Sequence, residues 1–158
     1  YDYVNFKYFN FVKQRVDGVE LELLVRPVKK LSITANYTYT GGDEKTQSRK
    51  STNDTTYNYL LRRPKSSFNL NAGYQFTKGL YAAISVRAVG DRYDVGGYQK
   101  EDVLLKSYFL LGLYAEYNWK DRFRFFLDAQ NLTNTRFFDL RGYNSIPFLV
   151  NAGVTFSW

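Results

Sequence analysis

Three groups of acidic residues could support chemistry: Glu20 and Glu22 in "GVELEL", Asp43 and Glu44 in "GGDE", and Glu101 and Asp102 in "KED". A carboxylate pair is the minimum for general acid–base work, and converging oxygens are what calcium requires. Glu20 and Glu22 share one face of an alternating segment, where a periodic polar column produces such pairs without catalysis. The two doublets read as solvated loop charges. The chain contains no His and no Cys, so neither a Ser-His-Asp nor a Cys-His nucleophile can be assembled, and no Cys-based zinc site either. The glycine pairs at 41–42 and 96–97 lack the Lys-Ser/Thr of a phosphate loop. The expectation is a protein that is not an enzyme, with no cofactor and no metal.

Net charge is +7, which would suit nucleic acid if the cations formed one stripe with stacking rings. They do not. They scatter over turns and polar columns while most aromatics occupy the opposite column, so no nucleic-acid partner is expected. The residues best suited to touch a small molecule are rings in polar connections: Tyr57, Tyr59, Tyr93, Tyr98, Phe137, Phe138 and Tyr143. A rigid ring offers contact area at little entropic cost. Loop packing or an upper aromatic girdle is the alternative for each.

What positions these residues is a period of two running through the chain. Leu31, Ile33, Ala35, Tyr37 and Tyr39 alternate with Ser32, Thr34, Asn36, Thr38 and Thr40. Phe68, Leu70, Ala72, Tyr74 and Phe76 alternate with Ser67, Asn69, Asn71, Gly73 and Gln75. Comparable columns begin at Val19, Leu80, Leu105, Phe123 and Ile146, giving seven strands. Several are longer than the five or six residues usual in soluble sheets. Short turns at "PVKK", "TKG" and "KDR" alternate with long polar loops at 41–58, 94–102 and 135–145, and rings (Tyr74, Phe76, Tyr117, Trp119, Phe123, Phe125, Phe156, Trp158) gather beside the short turns. Long strands, unequal rims and an aromatic girdle together predict an all-β transmembrane antiparallel barrel in place of a soluble sandwich. An Arg in mid-bilayer costs about 2–4 kcal/mol, so the polar column faces an enclosed lumen. Arg87, Lys106, Arg122 and Arg124 are the lumen cations expected to meet a plug or neighbouring carboxylates.

Seven is odd, whereas single-chain bacterial barrels have even strand counts, so residues 1–158 read as the C-terminal part of one larger barrel domain. The alternating run that ends at Phe156 and Trp158 resembles the terminal signature read by the barrel-assembly machinery of Gram-negative bacteria.

Several motifs extend that resemblance. "YFNFVKQRVDGVELEL", "LSITANYTYT", "LLRRPKSSFNLNAGY", "VGDRYD", "LKSYFLLGLYAEY" and "LDAQNLTNTRFFDLRGYNSIPFLVNAGVTFSW" are similar, in order, to the end of TonB-dependent outer-membrane transporters, most closely the vitamin B12 (cobalamin) receptor branch. Thr133 stands where the family has an aromatic, and "SIPFLV" lacks the Gly-Arg that usually follows the Pro. The resemblance implies a barrel of about 22 strands in the outer membrane, with plug and upstream strands elsewhere. It implies energised import of a scarce bulky nutrient, cobalamin first and an iron chelate of siderophore type as the alternative. The implied partners are outer-membrane lipid, the TonB complex acting through an N-terminal plug, the barrel-assembly machinery and the small-molecule substrate, with room for a surface lipoprotein. A passive porin and an adhesin are the rival readings from other classes.

Overall fold

The computed structural model describes residues 13–51, 53–120 and 122–157. The strands are β1 (Lys13–Val28), β2 (Leu31–Gln47), β3 (Asp54–Tyr57), β4 (Ser66–Gln75), β5 (Leu80–Val89), β6 (Arg92–Asp94), β7 (Val103–Leu105), β8 (Tyr108–Trp119), β9 (Phe123–Gln130) and β10 (Leu149–Phe156), with no helix among the described residues. One antiparallel sheet runs β1-β2-β4-β5-β8-β9-β10, the seven strands of the alternation, while β3 folds back on the end of β2 and β6 pairs β7 as a separate ribbon.

The register carries the two columns intact from strand to strand. Leu21 faces Tyr37, Tyr37 faces Phe68, Phe68 faces Ala88 and Ala88 faces Phe109; further along, Trp119 faces Phe123 and Phe123 faces Phe156. The other face sets Asn36 beside Asn69, Asn69 beside Arg87, Tyr114 beside Asp128 and Asp128 beside Asn151. Because side chains alternate strictly, a meander in this register has one apolar and one polar surface.

Among the described residues no second sheet covers the apolar surface: Leu21 is 61% exposed and Val154 56%. A water-soluble sandwich would bury these columns against each other; a sheet that leaves them open is at home in hydrocarbon. The polar surface supplies its own partners. The Asn69 amide donates to Asn36 at 2.8 Å, and Tyr114 and Asn118 both donate to Glu116 at 2.8 and 3.2 Å. Two glycines on this face lie under rings from the adjacent strand. A Cβ on Gly73 would collide with the Tyr81 hydroxyl, and one on Gly153 would enter the Phe126 ring.

The three short turns fall at one end of the sheet. In the β4–β5 turn, Thr77 Oγ1 accepts the Leu80 N–H at 3.0 Å, and in the β8–β9 turn Arg122 N–H donates to Trp119 O at 3.2 Å. Beside them Trp119, Phe123 and Phe156 pack at 5.6 and 5.0 Å between ring centroids, and Tyr74 meets Phe76 edge-on at 4.9 Å. This is the girdle the sequence predicts; Trp158 and the stretch 1–12 lie outside the described residues.

Four boundaries differ from the sequence reading. The supposed loop from 41 is largely strand, since β2 continues through Gly41 and Gly42 in register with β1 as far as Lys45, and β3 pairs with its last residues, Glu44 to Gln47. The strand expected from Leu105 breaks after it. Asp91 Oδ1 accepts the Ser107 N–H at 2.6 Å, and Leu105 pairs with Arg92 in the ribbon. Lys106 therefore sits in a link, outside the polar column. Arg122 lies in the turn, also outside that column, and β10 begins at Leu149 because residues 146–148 are held by the preceding loop.

The two faces predict opposite tolerances for one substitution at adjacent positions. Leu70→Arg should lower the stability of the intact barrel in lipid by about 2–4 kcal/mol, whereas Asn71→Arg should change it by no more than about 0.5 kcal/mol. Urea midpoints of the two variants in the same bilayer compare them directly.

Candidate functional site

Function is to be sought at the rim of long connections, where side chains leave the regular ladder. The β2–β4 connection reaches this rim with Glu44 on β2, whose carboxylate is 1% exposed. Arg49 pairs with it and also with Asp102, at 2.8 Å, from the residues before β7; the Asp102 side chain is likewise 1% exposed. The Arg49 guanidinium lies 4.1 Å from the Tyr57 ring centroid, and its backbone N–H donates to the Tyr57 hydroxyl at 3.0 Å. Tyr59 donates to Asp102 at 2.8 Å while its ring stacks on Tyr93 at 3.8 Å. Glu44 and Asp102 are thus buried ion-pair partners, a correction to their expected role as solvated charges.

A second knot joins the β6–β7 ribbon to the last connection. Asp94 accepts from Arg62 Nε at 2.6 Å, from Val95 N–H at 2.8 Å and from Arg141 N–H at 2.7 Å. Burial alone pushes the Asp94 carboxyl up, but those three donors outweigh it and leave it below the usual carboxylate range. Arg92, buried, reaches Phe138 O and Asp139, and Tyr108 donates to Asp139 at 2.7 Å while stacking on Phe137 at 4.1 Å. The loop base is set by Asn131, in the left-handed region at φ 49°, which an Asn tolerates. Its amide donates to Thr135 O at 3.0 Å and Ile146 O at 3.1 Å, closing both arms of the loop.

Beneath this loop a cleft of about 470 Å³ opens above the polar face. Arg87, Leu110 and Gln130 contribute from the strands, and Phe137, Asp139, Tyr143 and Asn144 from the loop. A second cleft of about 380 Å³ lies between Lys106, Arg136 and Arg141 with Phe137 and Phe138. The arrangement offers cations, amides and ring faces, which can bind a bulky polar solute; nothing in it activates a nucleophile.

The residues expected to touch ligand separate into two sets. Tyr57, Tyr59 and Tyr93 form one packed cluster and Phe137 packs on Tyr108, so these four build the rim. Tyr98, Phe138 and Tyr143 are exposed, Tyr143 at 72%. Of the four cations, Arg87 lines the larger cleft and Lys106 the smaller, Arg124 lies on the polar face 4.0 Å from Glu116, and Arg122 is at the opposite rim. Arg49, Arg92, Asp94, Asp139 and Asn131 were not foreseen as site builders. Of the motifs that carry the resemblance, "VGDRYD" supplies an ionic tie through Arg92 and Asp94, and the last one supplies the loop base at Asn131.

The family model described as TonB dependent receptor-like, beta-barrel matches residues 1–132. No curated protein sequence matches significantly. Among solved structures, the siderophore receptor PiuA from Acinetobacter baumannii is 22% identical with a TM-score of 0.77, over 90% of this chain and 22% of that one. The ferric-catecholate import receptor Fiu from E. coli K12, in its closed form, is 19% identical with a TM-score of 0.72, over 90% and 21%. The outer-membrane ferripyoverdine receptor of Pseudomonas aeruginosa is 15% identical with a TM-score of 0.72, over 90% and 19%. The chain therefore spans about a fifth of the length of these receptors, and at such identities they speak for the fold. With an open apolar face, a polar face, unequal rims and a family match over most of its length, this chain belongs to the TonB-dependent receptor family and forms a segment of its outer-membrane β-barrel.

Proposed function

We propose that the chain supplies barrel wall and external loops to a transporter that captures a bulky ferric chelate and admits it to the periplasm. The observation that carries this reading is the cleft under the last loop, where Arg87 and Gln130 of the wall meet Phe137, Asp139 and Tyr143 of the loop. Rings can cover the ligand body while Arg87, without an ion-pair partner among the described residues, reads an anionic group. The naming of the solved relatives as siderophore and ferric-chelate receptors supports the iron-chelate class over the cobalamin branch. Cobalamin is the second reading, favoured by the order of the sequence motifs. Tyr98, Phe138 and Tyr143 are the proposed ligand-contacting rings, and Arg87 the proposed wall contact. Arg124 is assigned to the plug side of the lumen. Coupling to the TonB complex through a plug, folding by the barrel-assembly machinery, and any lipoprotein cap belong to the same proposal for the whole protein.

Equilibrium binding to the intact receptor tests the ligand class. Saturable binding of a ferric siderophore is expected, weakened about tenfold by Tyr143→Ala, the loss of roughly 1.4 kcal/mol that one well-placed ring provides. Binding of cyanocobalamin with no response to iron chelates would transfer the assignment to the second reading, and solute flux independent of the TonB complex would indicate a passive channel.

A preformed cleft requires the ionic tie at Asp94. Asp94→Ala leaves the Val95 and Arg141 N–H groups without their acceptor and should cost about 1–3 kcal/mol per orphaned donor. Hydrogen exchange in residues 90–107 and 131–148 should accelerate while the seven main strands stay protected. Since the folded carboxyl is held below its ordinary range, this stabilisation is fully present at neutral pH. It is lost as pH falls through the lowered value, which amide exchange measured against pH would display.

A further inference from the structure

The apolar face of the wall is not smooth where it meets the rim of long connections. A slot of about 420 Å³ lies there between Tyr37, Phe68 and Phe109, with Ala88 and Gly90 as its floor. Phe68, Ala88 and Phe109 are consecutive in one cross-strand row, so rings stand on β4 and β8 while β5 between them carries only a methyl group. Towards the rim, Gly90 N–H donates to Ser66 O at 2.8 Å, and a Cβ on Gly90 would lie 2.8 Å from Ser66 Oγ. No side chain plugs the slot at that end, where the hydroxyl-bearing Ser66 and Ser107 border it. Val86, next in the column below Ala88, is branched and ends the slot on the other side.

Ser107 lines both this slot and the second cleft, so the apolar space leads into a basic one. The second cleft presents Lys106, Arg136 and Arg141 and has no carboxylate in its lining. Among the described residues none of the three pairs with an acidic side chain, whereas Arg49, Lys50, Arg62 and Arg92 at the same rim each do. Arg141 donates to Val95 O and Gly96 O, neither of which neutralises it, and Asp91 beside the junction accepts the Ser107 N–H at 2.6 Å. Three like charges around one cleft repel until an anion joins them. An acyl chain gains little by exchanging one apolar neighbour for another, so the slot selects by shape and the cations supply the preference. We infer that slot and basic cleft together bind one acylated lipid with an anionic phosphate head group, a chain lying between Phe68 and Phe109 and the phosphate reaching Lys106, Arg136 and Arg141. Long connections face outward in outer-membrane barrels, which puts this lipid in the outer leaflet.

The site stands apart from the transported solute and is read with lipid alone. Native mass spectrometry of the full-length receptor in detergent, titrated with lipid A carrying both phosphates, should show saturable retention of one lipid. A cation beside an anionic head group accounts for about fivefold in affinity. The dephosphorylated lipid should therefore bind at least about tenfold more weakly, and Lys106→Gln combined with Arg136→Gln should bring the phosphorylated form to the same level. Ala88→Phe, which fills the slot, should weaken retention of both forms. Ala82→Phe, lower in the same apolar column, should leave it unchanged. Unaltered amide exchange in the seven main strands verifies the fold of each variant. Equal retention of the two lipids, displacement by an equal amount of zwitterionic phosphatidylethanolamine, or an Ala88→Phe variant that behaves like Ala82→Phe would each overturn the site. Weakening by the Lys106 and Arg136 changes with Ala88→Phe silent would also overturn it, and would assign the basic cleft to soluble anions.

Discussion

In hydrocarbon no water is available to a free N–H or C=O, and each unpaired group costs several kcal/mol. That constraint makes the hydrogen-bonded ladder from β1 to β10 compulsory and leaves only the side chains free to vary. A meander of antiparallel neighbours then forces each side chain to one of two surfaces. The persistence of Leu21, Tyr37, Phe68, Ala88 and Phe109 in one row across five strands follows directly. The molecule accordingly has little interior in the usual sense. Its buried apolar side chains among the described residues are few, and Leu60, Val89, Leu105 and Tyr108 all lie near the long-connection rim.

Beyond that rim, stabilisation changes in kind. The connections carry only small apolar clusters, such as Leu60, Leu105 and the stacked Tyr59–Tyr93 and Tyr108–Phe137 rings, so much of the order there comes from charges withdrawn into the loop cluster. Asp94 gathers three donors, Asp139 gathers Tyr108 and Arg92, and Asn131 bridges both arms of one loop. Such ties are directional, and removing one partner strands the others in a low dielectric. They give the loops defined shapes while leaving Tyr98, Phe138 and Tyr143 free at the surface.

The strand count and facing of the wall were legible because alternation is a local property with a tertiary consequence. The short turns were legible too, since Lys-rich and Gly-containing stretches interrupt the columns abruptly. The rim was not. β3, β6 and β7 comprise three or four residues each, too few for a period to show. Lys106 looked like a column member because nothing in "LLKSY" announces that Asp91 caps Ser107 and breaks the strand. The ion pair of Asp102 with Arg49 joins residues from separate connections, and sequence distance hides it; Glu44 and Arg49 lie close in sequence, but "GGDE" and "KED" both read as ordinary hydrophilic loops.

Alternation has a blind spot of its own: sliding a strand by two residues returns every side chain to its original surface, so the columns alone cannot distinguish the true pairing from that slip. Gly73 beneath Tyr81 and Gly153 beneath Phe126 remove the ambiguity. Shifted by two, Tyr81 would lie over Asn71 or Gln75, and Phe126 would meet Asn151 or Thr155, each of which carries atoms where the ring must rest. The two notches act as alignment keys, and the wall is indexed by where it omits a side chain as much as by those it displays.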